Sequence, residues 1–218
     1  MKILDVPKSG SANWQTASRN RYGQYLRNRS TPTNPQSSFQ TAIRSKLSTC
    51  STDYRSLTND QRAGWASLGG EMHRTDPLGQ DYTLTGFQAY ASVNIIRVQC
   101  GLAVVADAPA LQTPDSIASC TPTISDEEFS LAYTPTPLGA AEYLFAYCSP
   151  QRSQGRAYEG DCRLILVSAA AQASPFDILE EYTARFGVPV VSNRVFVEVR
   201  RAYLGFLSAA LVVSKVVS

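Results

Sequence analysis

The chain has 218 residues, 44% of them hydrophobic and 17% charged, with a formal net charge of +2. That is apolar enough for one large or two small folded domains, and no run approaches the ~20 apolar residues of a membrane-spanning helix. The first residues, Met1-Lys2-Ile3-Leu4-Asp5-Val6-Pro7, meet a proline before a signal-peptide core can form, so no secretion signal is expected. Charge is unevenly spread: residues 1–76 carry eleven Lys/Arg against five Asp/Glu, a net +6, and the remainder is net −4. Such asymmetry suggests halves with different partners, or copies of one chain laid basic half on acidic half.

Residues 8–38 are dominated by Ser, Asn, Thr, Gln, Gly and Arg, without helical or strand periodicity. A segment of this composition buries too little apolar surface to offset its own ordering, so residues 1–34 are expected to form an extended basic arm. Its densest stretch is Arg19-Asn20-Arg21-Tyr22-Gly23-Gln24-Tyr25-Leu26-Arg27-Asn28-Arg29, with Trp14 just upstream. Arg19, Arg21, Arg27 and Arg29 with Tyr22 and Tyr25 suit phosphate contacts and base stacking. They suit a protein interface equally, because Arg, Tyr and Trp are favoured anchors there. A solvated tail is the third reading.

Residues 35–101 read as a helical segment. Phe39, Ile43 and Leu47 recur every four residues, which predicts a helix over about 36–50 facing a core. Thr58 and Gln61 have capping-box spacing, and the helix they open would turn Ala63, Trp65 and Leu68 inward and stop at Gly69-Gly70. Thr85 and Gln88 repeat the spacing before Phe87, Tyr90, Ala91, Asn94, Ile95 and Val98, with Gly101 as the end.

Residues 102–122, punctuated by Pro109 and Pro114, read as a linker. Over 123–218 the apolar period becomes two. Phe129, Leu131 and Tyr133 alternate with polar residues, Tyr143, Phe145 and Tyr147 share a face on which Tyr143 and Phe145 are expected to be buried, and Leu164 and Leu166 lie in another strand. Val195, Val197 and Val199 alternate with Phe196, Glu198 and Arg200, and Ala210–Val217 closes the chain. One helix interrupts, with Ser174 as N-cap, Pro175 at its first position, and Gly187 at its end. The expected fold class is α+β: basic arm, three short helices, and a C-terminal antiparallel β-sandwich with one inserted helix.

Catalytic equipment is scarce, and no enzyme is expected. His73 has no signposted nucleophile or carboxylate partner and reads as a surface histidine. Cys50, Cys100, Cys120, Cys148 and Cys162 are scattered and read as buried thiols rather than a zinc or disulfide framework. Asp126-Glu127-Glu128 lacks the glycine and alternating oxygens of a calcium loop, and Glu180-Glu181 point different ways on a helix. No cofactor, metal or small-molecule substrate is expected.

Two resemblances add to this reading. The pair Val195–Tyr203 and Ser208–Val217, turning through Leu204-Gly205-Phe206-Leu207, resembles the last hairpin of fibronectin type III and other immunoglobulin-like modules. This implies a binding or spacer module rather than a chemistry. The strings Ser-Arg-Asn-Arg-Tyr-Gly-Gln (18–24), Pro-Thr-Asn-Pro-Gln (32–36), Leu-Thr-Asn-Asp-Gln-Arg-Ala-Gly-Trp (57–65), Leu-Thr-Gly-Phe-Gln-Ala-Tyr (84–90) and Tyr-Thr-Ala-Arg-Phe-Gly (182–187) resemble a family associated with bacterial viruses and prophage-like regions. That resemblance implies a virion structural protein of a tailed bacterial virus, a capsid or tail accessory assembled in the host cytoplasm. Its partners would be other virion subunits, including copies of itself. The competing expectation is a DNA- or RNA-binding protein that uses the arm and oligomerises through the sandwich. A bacterial surface adhesin is disfavoured by the missing signal peptide.

Overall fold

The structure, a computed structural model, describes residues 9–12, 14–20, 23–31, 33–76, 78–158 and 161–218. The chain is mixed α+β, with four helices and several antiparallel sheets among the described residues. It divides into two compact units, Met1–Ala42 and Ile43–Ser218.

The N-terminal unit corrects the expectation of an arm without regular structure. Strands β1 (Gly10–Ala12), β2 (Gln15–Asn20) and β3 (Gly23–Asn28) pair antiparallel in the order β1-β2-β3. Strand pairing asks only for backbone donors and acceptors, so a polar segment without an apolar stripe can still form a ladder. Glycine assists at Gly23, whose φ of 115° is open to a residue without a Cβ. Among residues 9–42 whose side chains are described, none is buried.

In the second unit, α1 (Ser38–Ser56, beginning in the first unit), α2 (Asn59–Glu71) and α3 (Gly86–Gln99) supply the helices. Both capping boxes form as expected: the Thr58 hydroxyl accepts from the Gln61 N–H and the Thr85 hydroxyl from the Gln88 N–H. The expected stop at Gly69-Gly70 does not occur, and α2 runs on to Glu71. Gly69 serves a different purpose. A Cβ there would sit 2.5 Å from the Leu84 carbonyl oxygen, and one at Gly86 would sit 3.0 Å from the Ala66 nitrogen. Both glycines let backbones approach closely, and the core between the helices holds Cys50, Leu57, Trp65, Leu68, Tyr90 and Val93. Trp65 packs edge-on against Tyr90 at 5.1 Å. Its indole N–H donates to the Ala106 carbonyl, 2.7 Å away.

Within 102–122 the chain is stitched back to the helices. The buried Asn94 amide donates to the Val105 carbonyl and accepts from the Val105 N–H. The segment already becomes strand β6 (Ser119–Ile124) before residue 122. A short hairpin of β4 (His73–Thr75) and β5 (Asp81–Thr83) joins α2 to α3.

Two further antiparallel sheets follow. β6 pairs β7 (Phe129–Thr134), which pairs β10 (Phe176–Asp177). β11 (Arg194–Tyr203) pairs β8 (Glu142–Cys148), which pairs β9 (Arg163–Val167). β12 (Phe206–Leu207) and β13 (Leu211–Val216) pair the other side of β11. The two sheets share one core: Ile124, Phe129 and Leu131 from one, and Leu144, Ala146, Val195, Val197 and Val199 from the other.

The valine alternation of β11 is therefore buried as expected. The face of β8 is the reverse of the expectation. Leu144, Ala146 and Cys148 join the shared core, while Tyr143, Phe145 and Tyr147 take the opposite face. Phe145 is nevertheless buried, and Tyr143 is only half-buried. With both faces of the strand partly covered, apolar residues in Glu142–Cys148 run continuously and do not declare which set faces the core.

The inserted helix α4 (Leu179–Phe186) starts later than expected. Phe176 and Asp177 pair with Leu131 and Ser130 instead, and the Ser174 hydroxyl accepts from the Tyr133 N–H rather than capping a helix. The stop at Gly187, φ 86°, is as expected.

Candidate assembly interface

Cross-strand partners in an antiparallel sheet share a face, so the N-terminal registers sort the arm residues. Arg19 pairs with Gln24, on the face that also carries Ala17 and Leu26. Tyr25 pairs with Ser18 and Arg27 with Thr16, on the other face, beside the Ser11–Thr16 hydroxyl contact of 2.8 Å. Tyr25 and Arg27 are thus brought together, and Arg19 is turned away from them. Arg29 lies just past β3, its N–H donating to the Trp14 carbonyl. Trp14 stands between β1 and β2 at φ 65°, with its side chain 83% exposed. Arg21 and Tyr22 lie outside the described residues.

A left-handed tryptophan in solvent is unfavourable twice over, in backbone strain and in exposed aromatic surface. Leu26 is 45% exposed on the same small sheet. Three-stranded sheets need a buried apolar face for independent stability, and this one shows no buried side chain among its described residues. Its chemistry is that of a surface awaiting cover: an indole, a leucine, a tyrosine and arginines presented on a hydrogen-bonded frame.

A second surface escaped sequence reasoning. The every-fourth pattern of α1 was expected to face a core, yet Phe39 is 41% and Leu47 45% exposed. Only from Cys50 onward does α1 meet the buried cluster. Leu47 instead lines an open groove of about 490 Å³ with Tyr82, Leu84, Phe87 and Ile95. Sequence periodicity finds an apolar stripe but does not say whether the stripe is covered by this chain or by another.

Reactive groups elsewhere are committed to structure. None of the five cysteines is in a disulfide. Burial raises the thiols of Cys100 and Cys120 to about 11, so they stay protonated near neutrality, unlike an activated nucleophile. His73 is exposed in β4, opposite Thr83. Among the described residues no three His, Cys, Asp or Glu side chains converge to hold a metal ion, and no helix is long and apolar enough to cross a membrane. Glu142 and Arg201 form a largely buried ion pair, and Glu142 also accepts from the Gly139 N–H. Burial disfavours the Glu142 carboxylate, but Arg201 and the Gly139 N–H outweigh it and hold the carboxyl below its ordinary value. This is a brace at the end of β8 and β11, not a cleft residue.

Comparison with protein-family models, curated proteins and solved structures finds no match.

Proposed function

We propose that the chain is a structural subunit of an assembly, docking on neighbouring subunits through its N-terminal sheet. The observation that carries this reading is that sheet itself: three paired strands with no buried described side chain and an exposed Trp14. Covering Trp14 together with Leu26 on one face of the sheet, or with Tyr25 on the other, would supply the apolar burial that the unit lacks alone. The partners in this reading are other subunits, copies of the chain among them. The resemblance of the strings at 18–24, 57–65 and 84–90 supports a virion of a tailed bacterial virus, with a capsid or tail accessory role. The two antiparallel sheets sharing one core, with β11 and β13 as a closing antiparallel pair, support an immunoglobulin-like sandwich as the spacer or bridging module.

The test is removal of residues 1–34. The truncated protein should stay folded by circular dichroism and lose assembly by native mass spectrometry and light scattering. Assembly of the truncated protein at full-length affinity rejects the reading.

Nucleic-acid binding by the same segment is the second reading, favoured by the arginine content. The division of Arg19 and Arg27 between opposite faces gives less support to one phosphate-tracking row.

A further inference from the structure

We propose that the facing arginines Arg152 and Arg194, with the valine loop beside them, dock an acidic, leucine-bearing segment of a different protein subunit. The segment's carboxylates would lie across the two guanidiniums, and its apolar side chains would cover the valines. The inference rests on the reading of the chain as an assembly subunit, but uses residues of the second unit alone.

Arg152 and Arg194 stand directly opposite each other on antiparallel backbone, exchanging both N–H to carbonyl bonds at 2.9 and 2.8 Å. Residues so paired share a face with Cα atoms ~5.5 Å apart, and like charges placed opposite each other repel. Val195 is buried in the core shared with β6 and β7, so Arg194 points to the other side of its sheet. Both arginines are half-buried, and the Nε of each is shut off from solvent without a hydrogen-bond partner. Arg156 joins them, its carbonyl accepting from the Arg194 guanidinium at 2.9 Å. Among the described residues no carboxylate forms an ion pair with these three, and Glu198, further along the same face, is taken by Arg200. Two facing guanidiniums of this kind are what a carboxylate completes, since its two oxygens can accept from both.

Beside the charges lies apolar surface. Val188, Val190 and Val191 are 52%, 56% and 60% exposed. Gln151, next to Arg152, pins their loop: its amide donates to the Val188 carbonyl at 2.7 Å and accepts from the Val190 N–H at 2.8 Å. A loop fixed in advance loses little conformational entropy when it is covered. On the other side of Arg194 its strand partner is Val216, and Arg194, Ser214, Lys215 and Val216 help to line an open groove of about 420 Å³. Tyr158, 70% exposed, carries the Arg156 guanidinium 4.7 Å over its ring.

Charge and apolarity together select the occupant. Exposed Lys215 in β13 and Arg163 in β9 extend the positive charge to the strands flanking β8 and β11. Against them stands exposed Asp161, while the turn Asp126-Glu127-Glu128 belongs to the opposite sheet, between β6 and β7. A phosphate polymer would satisfy the arginines and leave the valines in water, and a purely apolar partner would leave the guanidiniums unpaired. A segment bearing both carboxylates and apolar side chains covers both, and arginine with tyrosine is a frequent makeup of such anchors. The chain's own acidic stretches do not fit. The apolar neighbours of Asp126-Glu127-Glu128 and Glu180-Glu181, namely Phe129, Ile178 and Tyr182, are buried in the core. In the β4–β5 hairpin, Asp76 accepts from the Leu78 and Gln80 N–H groups and Asp81 from the Thr75 hydroxyl. The occupant is therefore a different subunit.

The experiment uses the full chain and a fluorescein-labelled Glu-rich peptide with interspersed leucines, read by fluorescence anisotropy at ~0.15 M salt. Beside it run the same peptide with glutamine for glutamate, polyglutamate without leucine, and single-stranded oligothymidylate. The Glu–Leu peptide should bind the parent more tightly than the other three. Arg152→Gln and Arg194→Gln should each weaken it about tenfold or more, and Val190→Ser should weaken it while leaving polyglutamate unchanged. Arg74→Gln, which removes an exposed charge elsewhere, should change nothing. Circular dichroism melts report whether each fold is kept. Val190→Ser alters an exposed side chain and so reads the surface even where an arginine variant unfolds. A parent that ignores the Glu–Leu peptide, or takes the glutamine peptide or polyglutamate equally well, overturns the proposal. So does an equal loss in Arg74→Gln. Tighter binding of oligothymidylate, lost in the arginine variants, overturns it and gives the face to nucleic acid. Self-assembly, followed in parallel by light scattering, should be the same in the arginine variants as in the parent, and its loss there gives the face to a second copy instead. A parent that assembles but ignores the peptide sinks this proposal and leaves the N-terminal reading standing. One that binds the peptide but stays monomeric does the reverse.

Discussion

Two neighbouring glycines in α2 have opposite duties. A Cβ at Gly69 would collide with the Leu84 backbone oxygen, whereas nothing lies within 4 Å of the same position at Gly70. Gly69→Ala should lower stability by about 1–3 kcal/mol, since the α2–β5 approach must open. Gly70→Ala should raise it by about 0.5–1 kcal/mol through helix propensity alone. Chemical denaturation of the pair measures this directly, and equal effects would remove the packing explanation. At the same scale, Glu142 is a carboxyl whose folded-state value lies below its ordinary one, held there by Arg201 and the Gly139 N–H against its burial. The stability it contributes is present above the unfolded carboxyl's pKa and disappears as pH falls through the lower folded value. Glu142→Gln should therefore flatten the acid limb of stability against pH and cost most near neutrality. A variant whose acid limb matches the parent's would contradict this.

Among the elements, the N-terminal sheet invites the sharpest test. Its arginines, in the nucleic-acid reading, would neutralise about four phosphates, with affinity falling by roughly 0.9 log units per log unit of salt for each one. Protein docking through Trp14 and Tyr25 depends on apolar burial, which salt screens little. DNA binding by the full chain should accordingly be weak, sequence-independent and lost near ~0.15 M salt, as read by fluorescence anisotropy. Tight binding at that salt, abolished when Arg19, Arg21, Arg27 and Arg29 become alanine, would transfer the function to nucleic acid. The capping boxes of α2 and α3 are the elements' other legible feature: Thr58→Ala or Thr85→Ala should cost about 1 kcal/mol each in a thermal melt.

Within the second unit, α3 meets the sheets at the turn after β11. The turn after β11 carries Gly205 against α3 and sends Phe206 into the core of the helices. Phe206→Ala should lower stability by about 3–5 kcal/mol, and the unit should unfold in one transition seen equally by far- and near-ultraviolet circular dichroism. Helices that melt at a separate temperature from the sheets would show that this turn does not couple them.

What the amino-acid order determined by itself is local. The Thr58/Gln61 and Thr85/Gln88 spacings mark helix starts because a cap is a contact between residues three apart. The valine alternation of β11 marks a half-buried strand because the strand period is two, whatever lies across from it. The even wash of polar residues before Pro35 hid a sheet, since ladder bonds join backbones and leave no mark on side-chain type. Only the tertiary structure decided which face of Glu142–Cys148 meets the core, that Gly69 is a contact rather than a stop, and that Leu47 is left in a groove instead of a core. Each of these turns on what stands opposite a residue from far along the chain. A single strand or helix specifies which surface is apolar, while the covering of that surface belongs to the packed whole.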